Sequence, residues 1–403
     1  MRILHICSGS SGGAAVAAYR LSTMQTKLGD KTLIVDVNFM EINGRRRFHQ
    51  IQRKTLSWAQ QLFTKKDFGV LTPFSYPYLK LKVVRDFNPD VIHIHNWYNM
   101  INYPLLKEIS NSYPIVFTLH DERLLTGGCH NTLGCTLNTF GCKMCPATHV
   151  MRKFIASDYL SKSMLFRNLP QYAIVAPSDW LTRRATASGL FTNAKVVVKI
   201  SNIIENNIVA TNKNVENQSS EKNFRILFIA ADMSVKLKGF QLLLSAFEEL
   251  TKRNKNQHLV LTAVGAVTDE VVQLSSNGKI VYKRPVNQHE LRKLMKENSI
   301  LVVPSLADNA PNIIAESQME GTIVIASDLG GIPEMIENEV TGFLTRPSVA
   351  DLIECISRVQ SYDPRELSKI RDRAKKLSLI RHDANLIAQN YTKLYKTLGA
   401  KTK

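Results

Sequence analysis

Two series of short apolar segments alternate with helix-patterned stretches, and a polar, Asn-rich stretch at 205–223 (ENNIVATNKNVENQSSEKN) separates them. In the first series MRILHIC (1–7) leads through a Gly/Ser turn into AVAAYRLSTMQTKLG, which has a helical pattern and ends at Gly29. TLIVDV, VIHIHN (91–96), PIVFTLH (114–120), AIVAPS (173–178) and VVVKIS (196–201) follow as further strands. The second series runs RILFIAA, HLVLTAVG, KIVYKRP, SILVVPS and GTIVIAS, interrupted by helical FQLLLSAFEELTKR and QHELRKLMKEN. Strands this apolar are buried on both faces, and a parallel pairing needs a crossover long enough to hold a helix. Each series therefore predicts an α/β unit with a doubly wound parallel sheet. A length of 403 residues also exceeds what one hydrophobic core normally supports. The expected boundaries are residues 1–204, a linker at 205–223 and residues 224–383, with a small-molecule site in a cleft between the two units.

Charge narrows the partners. The formal net charge is +18, and residues 1–200 hold 25 Lys and Arg against 11 Asp and Glu. Runs such as Arg45-Arg46-Arg47, Lys65-Lys66, Arg152-Lys153 and Arg183-Arg184 suit an anionic lipid surface, a pyrophosphate-bearing acceptor or a nucleic acid. No run reaches the roughly 18–20 apolar residues that span a bilayer, and MRILHIC is short for a signal-peptide core. A cytoplasmic protein is expected, held peripherally at the inner face of the membrane if the basic half meets lipid.

Residues 302–336, VVPSLADNAPNIIAESQMEGTIVIASDLGGIPEMI, read as strand, acidic loop, helix, strand and Gly-rich turn. The eight-residue spacing puts Asp308 in the loop and Glu316 about a turn into the helix, at the end of a parallel sheet where ligands bind. Pro311 lacks an N–H and fits the first helical position. Gly12 and Gly13 close the first strand-to-helix loop, where glycine lets a phosphate or acceptor approach the backbone beside a positive helix end. His120 ends PIVFTLH, at the edge of the sheet that presents side chains to a ligand. In APSDWL, Ser178 and Trp180 suit a helix start and packing. The closing stretch ANLIAQNYTKLYKTL has apolar Leu386, Ile387, Tyr391, Leu394, Tyr395 and Leu398 at helical spacing, which predicts a packed helix.

GGAAVAAYRL, TLHDERLLTGGCH, APSDWL, LKGFQLLLSAF, VPSLADNAPNIIAE and ASDLGGIPEMI occur in this order. Over nearly its whole length the chain thereby resembles the family 4 glycosyltransferases of GT-B architecture, in the branch that builds colanic-acid-like exopolysaccharide, capsule or lipopolysaccharide. The resemblance implies two Rossmann-like domains, a closing helix (384–399) that crosses back to the N-terminal domain, and a retaining transfer without a catalytic metal. The donor would be a UDP- or GDP-sugar, bound by the C-terminal domain. The acceptor would be a glycan or a lipid-pyrophosphate-linked sugar, bound by the N-terminal domain.

The same resemblance implies residue roles. Glu316 would accept hydrogen bonds from the ribose, and Asp308, where the family usually has Glu, would meet donor-sugar hydroxyls. Backbone N–H groups of Asn309, Ala310 and Asn312 would contact sugar and phosphate. Lys238 would face the diphosphate, with Lys236 in place of an arginine that this chain lacks after Ile229-Ala230-Ala231-Asp232. Arg284, with Pro285 and Val286, would hold the base. His120 would reach the donor sugar near its anomeric centre, with Asp121 orienting the imidazole or the acceptor hydroxyl.

Cys129, Cys135, Cys142 and Cys145 lie within 17 residues with C-x5-C-x6-C-x2-C spacing. In a reducing compartment such a cluster suits one structural zinc rather than disulfides, with free thiols or a redox pair as the other readings. Basic charge plus a cysteine knuckle also describes a nucleic-acid-binding protein. That reading leaves the two α/β series and the acidic loop unexplained and lacks interleaved aromatics, so no nucleic-acid partner is expected. A GT-B nucleotide-sugar epimerase is the other alternative.

Overall fold

A computed structural model describes residues 1–9, 12–41, 55, 62–63, 79–136, 140–205, 223–253, 258–266 and 280–400. Arg45-Arg46-Arg47, Lys65-Lys66 and all but the two ends of the expected linker lie outside the described residues. The chain divides into two compact units, Met1–Ile203 with Asp383–Lys403, and Ile204–His382.

In the first unit the order is β1 (Arg2–Ile6), α1 (Gly13–Lys27), β2 (Lys31–Val35), α2 (Val37–Glu41), α3 (Leu81–Phe87), β3 (Val91–Ile94), α4 (Tyr103–Ser110), β4 (Ile115–Thr118), α5 (Arg152–Asn168), β5 (Tyr172–Ala176), α6 (Asp179–Ala187) and β6 (Val196–Lys199). The six strands pair in parallel in the order β2-β1-β3-β4-β5-β6. The order reverses between β1 and β3, which opens a crevice at the carboxyl ends of those strands. Helices start where side chains can cap them. Asn102 accepts the Leu105 N–H at 2.9 Å to open α4, and Ser178 accepts the Leu181 N–H at 3.1 Å to open α6, which offsets a helix-end donor that would otherwise go unpaired. Ser178 thus has the helix-start role that its position in APSDWL suggests.

The second unit runs β7 (Asn223–Asp232), α7 (Phe240–Arg253), β8 (His258–Ala266), β9 (Ile280–Lys283), α8 (Gln288–Glu297), β10 (Ile300–Val303), α9 (Asn312–Glu320), β11 (Ile323–Ser327), β12 (Phe343–Thr345), α10 (Val349–Gln360) and α11 (Pro364–Arg381). Its parallel order, β12-β11-β10-β7-β8-β9, reverses between β7 and β10. Apolar clusters lie on both faces of the sheet, Phe228, Phe240 and Phe343 in one and Leu227, Leu301 and Ile314 in the other. These are the two Rossmann-like units of the GT-B fold.

The last helix, α12 (Ala384–Thr397), belongs to the first unit. Its Ile387, Tyr391, Leu394 and Tyr395 bury against Ile3, Val91, Val116 and Ala173 of the first sheet. Leu386 does not join them: it is 50% exposed, because its position near the helix start turns it away from the buried stripe. Pro311 also differs from expectation. It is the N-cap of α9 with extended ψ of 116°, and Asn312 is the first helical residue.

Tyr395 is fully buried, so Tyr395→Ala should lower stability by about 3–5 kcal/mol, whereas Leu386→Ala should stay within about 0.5 kcal/mol. Urea midpoints of the two variants check this; equal midpoints would contradict the packing of α12.

Candidate active site

At the β7/β10 reversal of the second unit, three loops converge. A single turn of 3-10 helix, Lys236–Lys238, follows β7 and ends at Gly239 with φ of 72°. A Cβ on Gly239 would stand 1.9 Å from the carbonyl oxygen of Pro304, just past β10. Only glycine tolerates both the positive φ and that approach. The Leu306 N–H donates to the Leu237 carbonyl at 2.8 Å, which ties the two loops together. The third loop follows β11: a Cβ on Gly330 would meet the Asp308 carbonyl at 2.1 Å, and the Gly331 N–H donates to that carbonyl at 3.3 Å. Gly330 and Gly331 read in the sequence only as a turn, yet they fix the backbone of the acidic loop.

This stitching places Lys238 Nζ 2.7 Å from Asp308 Oδ2, with side-chain exposures of 40% and 16%. Asp308 Oδ1 accepts the Asn309 N–H at 3.0 Å. Asn309 is buried and Ala310 half-buried at the foot of α9; Asn312 opens that helix, and Glu316 lies half-buried on it one turn further on. The order of residues therefore runs cation, carboxylate, helix N-terminus, carboxylate around one crevice. Lys236 is exposed at the start of the same turn. Arg284 is exposed just past β9, the outer strand beyond β8, and so two strands away from β7.

In the first unit Gly12 caps α1 with φ of 89°, and a Cβ on Gly12 or Gly13 would meet nothing within 4 Å. Glycine at Gly12 is required by the backbone angle, and among the described residues nothing lies within 4 Å of an added Cβ at the start of α1. His120 stands two residues past β4, and its Nε2 lies 3.3 Å from His95 Nδ1. Asp121 Oδ2 is 2.7 Å from His130 Nδ1, its Oδ1 accepts the Arg123 N–H, and its charge acts on the neighbouring His120 ring. Behind this loop, buried Lys162 donates to the Arg123 carbonyl and pairs with Asp158 at 3.0 Å, and buried Glu122 accepts the Thr132 N–H at 2.7 Å.

His95 continues inward: its Nε2 lies 3.1 Å from His5 Nδ1, and His5 Nε2 lies 2.8 Å from Gln25 Oε1. His93 stacks on His95 with ring centroids 4.1 Å apart and bonds Tyr395 and Thr118, each at 2.7 Å. Burial lowers all four histidines, His5 and His120 to about 4, and His93 and His95 well below the usual value. The sequence marked VIHIHN only as a buried strand. The signal was there: His at both alternate positions of an apolar strand puts two polar rings on one buried face.

None of the four knuckle cysteines is in a disulfide. The Cys129–Cys145 hydrogen bond pushes the Cys129 thiol up and lowers Cys145 to about 6, burial raises Cys142 to about 11, and Cys142 Sγ accepts the Gly127 N–H at 3.3 Å. Among the described residues, the group whose metal-ligand atoms all lie within 4.8 Å of one another is His5, His93 and His95, not the cysteines.

Residues 223–361 match the family described as Glycosyl transferases group 1. An uncharacterized glycosyltransferase of Methanocaldococcus jannaschii is 32% identical over 120 residues, 29% of this chain and 30% of its own length. An uncharacterized protein in the cps region of Klebsiella pneumoniae is 22% identical over 45% of this chain and 49% of its own length. The chain thus spans 30% to 49% of the length of these curated relatives. Among solved structures, Anabaena HepE in complex with UDP-glucose superposes with a TM-score of 0.65 at 16% identity, over 98% of this chain and 100% of that one. The fold is GT-B. Within it, residues 223–361 are the part of the chain that matches the group 1 glycosyl transferase model.

The buried histidines have a consequence for stability. Their folded pKa values lie below the unfolded value near 6.5, so below that pH the unfolded chain binds protons the native protein refuses, and stability falls as pH drops from about 6.5 toward 4. Each histidine adds up to about 1.4 kcal/mol per pH unit within that window. Unfolding midpoints between pH 7.5 and 4.5 should show this slope, shallower in His93→Gln; a flat profile would contradict neutral, buried rings.

Proposed function

We propose that the chain is a retaining glycosyltransferase, moving a sugar from a nucleotide diphosphate sugar to a hydroxyl of a glycan or lipid-linked acceptor in surface-polysaccharide assembly. The observation that carries this reading is the Lys238–Asp308 pair, 2.7 Å apart at the topological reversal of the second sheet. A partly exposed ion pair contributes only about 0.2–1 kcal/mol, so an arriving diphosphate can take Lys238 from Asp308 at little cost. Lys238 then offsets the charge of the leaving group, and the released Asp308 carboxylate accepts hydrogen bonds from donor-sugar hydroxyls. Glu316 holds the ribose, and the N–H groups of Asn309, Ala310 and Asn312 serve the phosphates at the start of α9. The sugar C1–O bond to phosphate breaks as the acceptor oxygen bonds C1 on the same face, and the acceptor proton passes to the departing phosphate oxygen. HepE, crystallised with UDP-glucose, makes a UDP-sugar the first donor to test, with GDP-sugars as competitors. Lys238→Ala should lower kcat/KM about 100-fold, a loss of about 2.7 kcal/mol, and Glu316→Ala should raise donor KM about tenfold; unchanged turnover in both variants would sink the assignment.

For the knuckle we propose one structural zinc ion held by Cys129, Cys135, Cys142 and Cys145. The support is the Cys129–Cys145 hydrogen bond that lowers the Cys145 thiol, the amide donated to Cys142 Sγ and the packing of Cys142 and Cys145 against Met151, the N-cap of α5, and Ile155 within it. The same module exposes Phe140, Met144, Val150 and Phe154, and Lys143 and Lys153 are exposed there too, a composition suited to an anionic bilayer. Metal analysis should give about one zinc per chain, lost in Cys145→Ser. Flotation with anionic vesicles should be lost in Phe140→Ser/Val150→Ser. Zinc-free protein would remove the first assignment, and unchanged flotation the second.

A further inference from the structure

Lys162 places a cation in the interior of the first unit. It stands on α5 with 0% of its side chain exposed, and burial lowers its pKa while the Asp158 carboxylate, one turn before it, opposes that. An ammonium group has three N–H bonds and nothing that accepts. Three oxygens meet it: Asp158 Oδ2 at 3.0 Å, the Arg123 carbonyl at 3.0 Å and the Thr126 carbonyl. The Tyr103 hydroxyl of α4 donates to the other Asp158 oxygen.

Two of those three partners belong to one short segment. It leaves β4 through His120 and Asp121, makes a single turn of 3-10 helix at Arg123–Leu125, and returns at Cys129 and His130. The return is closed by hydrogen bonds: the Glu122 N–H donates to the His130 carbonyl at 2.9 Å, Asp121 Oδ2 lies 2.7 Å from His130 Nδ1, and the Thr126 hydroxyl donates to the Cys129 carbonyl at 2.8 Å. Gly127 brings the segment onto α5, since a Cβ there would stand 2.3 Å from the Ile155 carbonyl oxygen. Its N–H goes to Cys142 Sγ at 3.3 Å. The stretch from His120 to His130 is thus closed on itself and fastened to α5 at Lys162 and Gly127.

The two fastenings differ in strength. A packing contact or a thiol acceptor yields readily, whereas moving the turn off Lys162 leaves a buried ammonium short of two of its three partners, and an uncompensated buried charge costs far more than an ordinary hydrogen bond. We propose that Lys162 is a positioning residue for sugar transfer: through the carbonyls of Arg123 and Thr126 it fixes the segment from His120 to His130 at the carboxyl end of β4, and with it the side chains presented to the sugar. This rests on the transferase reading above and on the expectation that His120 meets the donor sugar. Fully buried, Lys162 acts through backbone only. Donor binding belongs to the Lys238–Asp308 site of the second unit, so losing Lys162 lowers turnover and leaves donor affinity as it was.

The test separates charge from position in the full chain. Lys162→Met leaves the Asp158 carboxylate uncompensated, so the unfolding midpoint should fall. Lys162→Met/Asp158→Asn removes both charges and should recover the midpoint, while the two carbonyls stay unheld. In that double variant kcat for a UDP-sugar should be about tenfold to a hundredfold below the parent with donor KM unchanged. The Leu125, Thr126 and Gly127 amides should exchange with deuterium about tenfold faster or more, while those of β4 keep the parent rates. Unchanged exchange at the three amides in the folded double variant, or kcat recovering together with the midpoint, would overturn the proposal. Absence of transfer by the parent protein from every nucleotide sugar would remove the glycosyltransferase reading; faster exchange would then still support Lys162 as the residue that holds the segment, and unchanged exchange would overturn it.

Discussion

The geometry of the second unit depends on one backbone contact, the approach of Gly239 to the carbonyl of Pro304. Without room for a Cβ between them, the turn after β7 and the loop after β10 lie against one another at the point where the sheet order reverses. Lys238 precedes that contact by one residue and Asp308 follows it by four, so the ion pair is a consequence of how closely the chain packs there. Gly330 repeats the device on the other side, against the Asp308 carbonyl. Two glycines thus hold a carboxylate and an ammonium group in place with backbone rather than with side-chain networks, which leaves both side chains able to exchange partners.

That freedom suits binding. A strongly desolvated pair would resist exchange, since separating buried charges leaves each uncompensated. Here Lys238 is partly exposed, its competitor for Asp308 is water, and the helix N-terminus of α9 offers further donors a few residues away. The first unit is built the opposite way. Its TLHDERLLTGGCH loop is anchored by buried Lys162 and buried Glu122, and the His120 ring is bonded to a fully buried row. One unit presents exchangeable charge, the other a fixed neutral ring.

Much of this was legible in the sequence. The alternation of apolar runs and helical patterns gave eleven of the strands found here, because parallel strands buried on both faces need no alternation to be recognised. β12 escaped: Phe343–Thr345 is three residues long, too short for any period. The expected strands ran two residues past the observed ends at VIHIHN and PIVFTLH, so His95 and His120 follow β3 and β4 rather than lying within them. Asp308, Glu316 and Lys238 stand out in the sequence because their neighbours carry a pattern in order. Arg284, chosen from its place after KIVYK, follows β9, two strands from β7.

The histidine row was hidden for a different reason. His5, His93 and His95 sit in apolar runs, and burying a polar group without a partner costs several kcal/mol, so the sequence alone argues against three of them in one core. What removes the penalty is Gln25 on α1 and Tyr395 on α12, residues 20 and 302 positions from the rings they bond. A buried polar network is favourable only when complete, and completeness is a property of the whole unit. The closing helix therefore does more than cover an apolar face: the Tyr395 hydroxyl it brings helps allow polar rings in the sheet.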